Sequence, residues 1–179
     1  QQAALAGQTC YQVGEGKCTY GTGAFLLLNL GSDRKPSKTG MLTTVAWQLA
    51  GKRTFAFEGS AFIAGASIQF LRDQFAFLTK ASDSEALATN ESAAPEIYFV
   101  PALAGLGAPH WNARARGAFF GLTRGTSQGQ LIRAALESMA FQVNDLMTAM
   151  AADLGAPFKM LRVDGGAVAN NLLMQAQAN

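Results

Sequence analysis

Histidine is all but missing from this chain: His110 is the single example in 179 residues. No Cys, His or carboxylate accompanies it at ligand spacing, so the sequence holds neither a metal centre nor a Ser-His-Asp relay. Cysteine is nearly as rare. Cys10 and Cys18 make no C-x-x-C pair and fit free thiols in a reducing compartment better than a disulfide framework. Charged residues amount to 15% with a net charge of +2, too little for a nucleic-acid surface. Arg114, Arg116 and Arg124, the nearest thing to a basic patch, lack interleaved aromatics and read as solvated side chains. No apolar run reaches the ~18 residues that a membrane span requires, and no secretory leader is recognisable. The expectation is a cytoplasmic chain with neither a nucleic-acid nor a membrane partner.

The common phosphate motifs are missing too. Gly16-Lys17 and Gly51-Lys52 are not followed by Ser or Thr and lack the earlier glycine of a P-loop, and no G-x-G-x-x-G follows a strand. What the chain does have is apolar residues, 49% of the total, enough to bury a sizeable core and to argue against disorder. Its length suits one average domain or most of a larger one. It opens on Gln1 and stops in a helix-like stretch at Asn179, which reads as a fragment.

Two glycine turns stand out. Residues 161–171 read as a short strand, a turn at Gly165-Gly166, and the start of a helix continued by Leu172, Leu173 and Met174. Adjacent glycines allow positive φ and close approach of a flat ligand, and a helix start offers unpaired N–H groups to a nucleotide. The second turn is Tyr20-Gly21-Thr22-Gly23, where N–H groups can face an anion beside a hydroxyl. Alone, the Gly165-Gly166 turn fits an ordinary strand-to-helix turn equally well, and the Gly21-Thr22-Gly23 turn fits a plain hairpin better. Without the common motifs, a nucleotide site here must use two separated turns on one sheet.

Along the chain, residues 1–8 read as the remainder of a helix, and strands are expected over 18–20, 24–29, 41–48 and 53–58 around a polar loop at 31–40. Ser60 is the expected cap of a helix over 61–75 that turns Phe62, Ala66 and Phe70 inward and sets Gly65 and Gln69 on a neighbouring face. Ser82 to Glu85 matches a capping box for a short helix, and 90–95 is a loop. Strands follow over 97–100 and 117–122, separated by the glycine-rich loop that holds His110. Thr126 is expected to cap the longest helix, which ends near Leu154 at Gly155, with Leu136 and Met139 buried and Gln130 and Asp145 exposed. A strand over 158–163 completes an α/β chain with a mixed sheet flanked by helices.

This arrangement resembles the actin-like ATPase (ribonuclease H-like) superfamily, and within it the glycerol-kinase branch of the FGGY carbohydrate kinases. The residues that carry the resemblance are Gln1 to Leu5, Thr19 to Gly23, Gly105 to Trp111, Ala115 to Thr126 and Arg162 to Asn171. The chain departs from the branch at His110 and Asn112, where Tyr and Asp are usual. The resemblance implies the larger part of a C-terminal domain, an incomplete second domain of a longer protein. It also implies ATP-dependent phosphorylation of glycerol, with ATP/ADP and Mg²⁺ as cofactors and a homo-oligomer as the full-length enzyme. Kinases for another polyol or sugar, such as xylulose or gluconate, and a non-catalytic actin-like module are the alternatives. Carried over by residue, Thr22, Gly65, Gln69, Gly166 and Asn170 bind the nucleotide, whereas Gln1 and Phe25 bind glycerol. The catalytic Asp would immediately precede Gln1, so the isolated chain is expected to lack turnover. Asp164 is read as lying on the adenosine side of its turn.

Overall fold

The β1–β2 hairpin is the centre of the molecule. Strands β1 (Glu15–Tyr20) and β2 (Ala24–Gly31) pair antiparallel from Tyr20 opposite Ala24, leaving Gly21-Thr22-Gly23 as the turn. The computed structural model describes residues 1–89 and 97–179. Strands β3 (Leu42–Leu49) and β4 (Lys52–Ala61) extend the sheet beyond β2, and β7 (Met160–Asp164) adds parallel to β1 on the other side. The order β3-β4-β2-β1-β7 is therefore a mixed sheet, as expected. Strands β5 (Tyr98–Val100) and β6 (Ala118–Phe120) form a separate pair in which Phe99 and Phe119 stack with centroids 4.2 Å apart.

Strand alternation divides the sheet into two unlike faces. Cys18, Tyr20, Leu26, Leu28 and Phe57 face the main core, which is closed by the long helix α4 (Gln128–Leu154) through Leu136, Met139, Val143, Leu146 and Met150. The other face carries a smaller cluster of Leu27, Ala46 and Ala56 under Leu5 of helix α1 (Gln2–Gly7). Both cysteines are buried free thiols, and burial pushes Cys18 up to about 12, far from reactive.

Helix starts differ from the sequence reading, each for a physical reason. Strand β4 runs through Ser60 and Ala61, with Ser60 paired to Phe25, so Ser60 caps nothing. Helix α2 (Gly65–Phe75) begins later because its first N–H groups find carbonyls on the hairpin turn: Ala64 and Ala66 donate to Thr22, and Gly65 donates to Gly21. Its buried face is Ser67, Ile68 and Leu71, while Phe62 is exposed outside the helix. Ser127, not Thr126, caps α4, exchanging hydrogen bonds with Gln130, which is consequently half-buried rather than exposed. Thr126 instead accepts from the Thr123 N–H. Leu136 and Met139 are buried and Asp145 exposed, and Gly155 ends the helix with φ of 79°.

Helix α3 (Ser84–Thr89) follows a 3-10 turn in which Asp83 accepts from the Lys80 N–H, so the box expected from Ser82 to Glu85 does not form. The loop expected over 90–95 lies outside the described residues. After β7, a 3-10 turn (Gly166–Ala169) intervenes before helix α5 (Asn171–Ala178). Asn112 accepts from the N–H groups of Arg114 and Ala115, a turn an Asp would form equally well. Among the described residues no helix is long and apolar enough to cross a membrane.

Candidate functional site

A cleft of about 510 Å³ opens where the hairpin turn, the start of α2, the start of α3 and the β7–α5 connection meet over α4. Thr22, Gly65, Gln69, Gly166 and Asn170 all line it, with Leu136 and Met139 among the apolar residues beneath. The five come from segments up to 148 positions apart (Thr22 to Asn170), and β1 beside β7 is what brings the two glycine turns together. Each contributes differently. Thr22 spends its carbonyl on the α2 N–H groups and leaves its side chain exposed. Gln69 is exposed one turn after Gly65 on the same helix face.

The two adjacent glycines also have separate jobs. Gly165 takes φ of 98°, and a Cβ there would lie 2.3 Å from the Tyr20 carbonyl oxygen. Only glycine lets the turn press on β1 so closely. Gly166 would place a Cβ in open space. Its hydrogen atom therefore keeps the cleft wall low without serving the packing.

At the start of α5, two of the N–H groups expected to be open to a nucleotide already have side-chain acceptors. Asn170 caps the helix, with Oδ1 accepting from the Leu173 N–H at 2.9 Å and Nδ2 donating to Ser84 at 3.3 Å. Glu85 accepts from both the N–H and the Nδ2 of Asn171 at 3.0 Å. The carboxylate and the cap already answer the positive end of the helix, so this end of the cleft suits an uncharged group. The hairpin turn, where Gly21 and Thr22 are exposed and the cleft-lining residues include no carboxylate, is the end that suits phosphate. Glu85 escaped the sequence reading because it resembled a local cap; its true partner is 86 positions away.

Gln1 and Phe25 are not in the cleft. They meet on the α1 face of the sheet at a buried lysine that the sequence reading dismissed as part of a failed phosphate motif. Lys17 is 0% exposed and donates to Gln1 Oε1, to Thr19 Oγ1 at 2.8 Å and to the Phe25 carbonyl at 3.4 Å. Burial lowers its basicity, opposed by the charges of Asp164 and Glu58. Asp164 is likewise on this face and not on the adenosine side, accepting from Gln8 Nε2 at 2.9 Å. Burial alone would raise its pKa, but hydrogen bonds from Thr19 and Gln8 and the Lys17 charge hold the carboxyl below its ordinary range. Glu58 accepts from Gln2 Nε2 at 3.2 Å. His110 belongs to neither group, with Nε2 3.7 Å from Asp145 on exposed surface.

A sequence model for the FGGY family of carbohydrate kinases, C-terminal domain, matches residues 16–179. The chain belongs to that family. It is 58% identical over all its residues to a glycerol kinase of Desulforamulus reducens and 57% identical to one of Carboxydothermus hydrogenoformans. It spans 36% of the length of each. Among solved structures it is similar to Plasmodium falciparum glycerol kinase with ADP, with a TM-score of 0.93 and 35% identity over 100% of this chain and 36% of that one. A ligand-bound xylulose kinase from Lactobacillus acidophilus superimposes with a TM-score of 0.84 at 20% identity, over 98% of this chain and 35% of that one, a likeness of fold alone. The mixed sheet flanked by helices is thus the actin-like ATPase fold of the FGGY kinases.

Proposed function

We propose that this chain is most of the C-terminal, nucleotide-binding domain of a longer kinase that transfers the γ-phosphoryl group of ATP to a terminal hydroxyl of glycerol. The observation that carries the reading is the convergence of Thr22, Gly65, Gln69, Gly166 and Asn170 on one cleft. Adenosine takes the end walled by Gly166 and the capped α5, where no charge is needed, and Gln69 offers its amide to a polar edge. The phosphates lie along the hairpin turn, with the Thr22 hydroxyl as a donor. Glycerol meets Gln1 and Phe25 on the other side of that turn, the amide reading a hydroxyl and the ring covering the carbon chain. Relatives named glycerol kinase at 57–58% identity support glycerol over other polyols.

In the reaction the hydroxyl oxygen bonds to the γ-phosphorus as the bond to ADP breaks, and the hydroxyl proton passes to a carboxylate. The family resemblance puts that Asp immediately before Gln1. Mg²⁺, also implied by the family, takes oxygen ligands, usually one or two carboxylates beside the phosphates. Among the described residues no three His, Cys, Asp or Glu side chains cluster, and Glu85 at the cleft is already bonded to Asn171. Glu85 is the one carboxylate among the cleft's lining residues, so the cleft side chains of this chain do not by themselves fit a resident metal.

The test is a substrate panel with the full-length protein. ATP-dependent formation of glycerol 3-phosphate, well ahead of phosphorylation of xylulose or gluconate, is expected. Preference for either sugar substrate overturns the choice of glycerol, and turnover of none overturns the kinase.

A further inference from the structure

We infer that Lys17 is a positioning residue for the phosphoryl acceptor, acting through the Gln1 carboxamide, which it fixes in one arrangement. The inference rests on the reading of Gln1 and Phe25 as substrate contacts. An ammonium group has three protons to donate and accepts nothing. All three are used: one on Gln1 Oε1, one on Thr19 Oγ1, one on the Phe25 carbonyl. Because Lys17 can only donate, the Gln1 amide must turn its oxygen inward. Its Nε2 protons then face outward, where Gln1 is exposed. The carboxamide is thereby set as a donor to a hydroxyl oxygen rather than free to flip.

A lysine that only tied α1 to the sheet would be a poor choice. A fully buried ammonium is costly, and an apolar side chain would hold the same elements together without that cost. Here the charge is balanced from both sides of β1, by Asp164 on the adjacent β7 and by Glu58 on β4, the strand beyond β2. Thr19 sits opposite Phe25 in the hairpin and beside Asp164 in the parallel pair. The two acceptor-side residues are therefore held by one atom, Nζ, and that atom is held by the strands that carry both glycine turns.

The experiment is a double-variant cycle in the full-length protein, with Lys17→Met, Gln1→Ala and the pair together, read as KM for glycerol, KM for ATP and kcat. Wild-type turnover on glycerol is measured first; its absence sinks the kinase reading itself. Lys17→Met is expected to raise KM for glycerol roughly 10- to 100-fold, the factor for losing a hydrogen bond to a charged group, while KM for ATP stays within about twofold. If Lys17 acts through Gln1, the double variant loses no more than Gln1→Ala alone. An unshifted glycerol KM in Lys17→Met, or losses that simply add, overturns the inference while leaving the kinase in place. If Lys17→Met does not fold, Thr19→Val removes one acceptor of Nζ at nearly constant shape. Its rise in glycerol KM must also vanish in the Gln1→Ala background, and persistence there overturns the inference equally.

Discussion

A Cβ on Gly65 would lie 2.7 Å from the carbonyl oxygen of Gly21. The same two residues share the hydrogen bond that starts α2, Gly65 N–H to Gly21 O at 2.9 Å. The turn that faces the cleft and the helix that carries Gln69 are thus one rigid unit, possible only with a glycine at the contact.

Gly65→Ala should therefore force the turn and the helix apart. The neighbour is backbone and cannot swing away, so a cost of about 1–3 kcal/mol is expected, typical of overpacking. Thermal denaturation of the purified chain gives the cost, and ADP titration should show weaker binding alongside it. Wild-type values in both measurements would mean that the contact is not tight in solution.

The glycine pair after β7 offers a sharper contrast. Gly165→Ala places a side chain at φ of 98° and against the Tyr20 backbone, and should cost about 2–5 kcal/mol. Gly166→Ala meets open space and should change stability by less than about 1 kcal/mol, yet its methyl group enters the cleft and should weaken ADP binding. Denaturation midpoints and calorimetric titration of both variants decide the matter; the reverse order of effects would exchange the two roles.

How far this site was legible in the sequence depends on where each residue finds its partner. The α4 face was readable because its apolar residues recur at helical spacing against one sheet, and the two glycine turns because glycine at a strand end has few other uses. The start of α2 was not. Its N–H groups are satisfied by Gly21 and Thr22, more than forty positions upstream, so no local cap announces it. Lys17 and Thr19 alternate with buried Cys18 and Tyr20 exactly as a solvated strand face would look on paper; only α1, folded over that face, makes Lys17 interior. Asn170 reached the site through family resemblance alone. Its side chain is also a helix cap, a role its position before Asn171-Leu172-Leu173 could have suggested.

Thr22→Ala should separate binding from folding. The Thr22 carbonyl makes the structural contacts to Ala64 and Ala66, and alanine keeps it. Stability should stay within about 0.5 kcal/mol, as for other exposed substitutions. Nucleotide binding should lose roughly 1.5–3 kcal/mol, the value of a hydrogen bond to a charged phosphate. Equal ADP affinity in wild type and Thr22→Ala by titration calorimetry would remove the hairpin hydroxyl from the site.

Acid should unfasten the loop before β3 from the end of α4. Asp153 there accepts from Ser37 Oγ at 2.5 Å, Thr39 Oγ1 at 2.7 Å and the Lys38 N–H at 3.0 Å. Burial pushes its carboxyl up, but these hydrogen bonds outweigh burial and hold the pKa below the ordinary 3.8. A folded pKa below the unfolded one means that the folded state favours the carboxylate. The stabilisation is then fully present above pH 3.8 and is lost as pH falls from there through the folded pKa. Asp153→Asn removes the charge at every pH, so its denaturation midpoint should lie below that of wild type at neutral pH and approach it in acid. Asp164, also depressed, is present in both proteins and cancels from the difference. Urea midpoints for the pair, from neutral pH to the most acidic buffer in which both fold, make the comparison. A gap that stays constant across that range would show that the Asp153 hydrogen bonds do not depend on its charge.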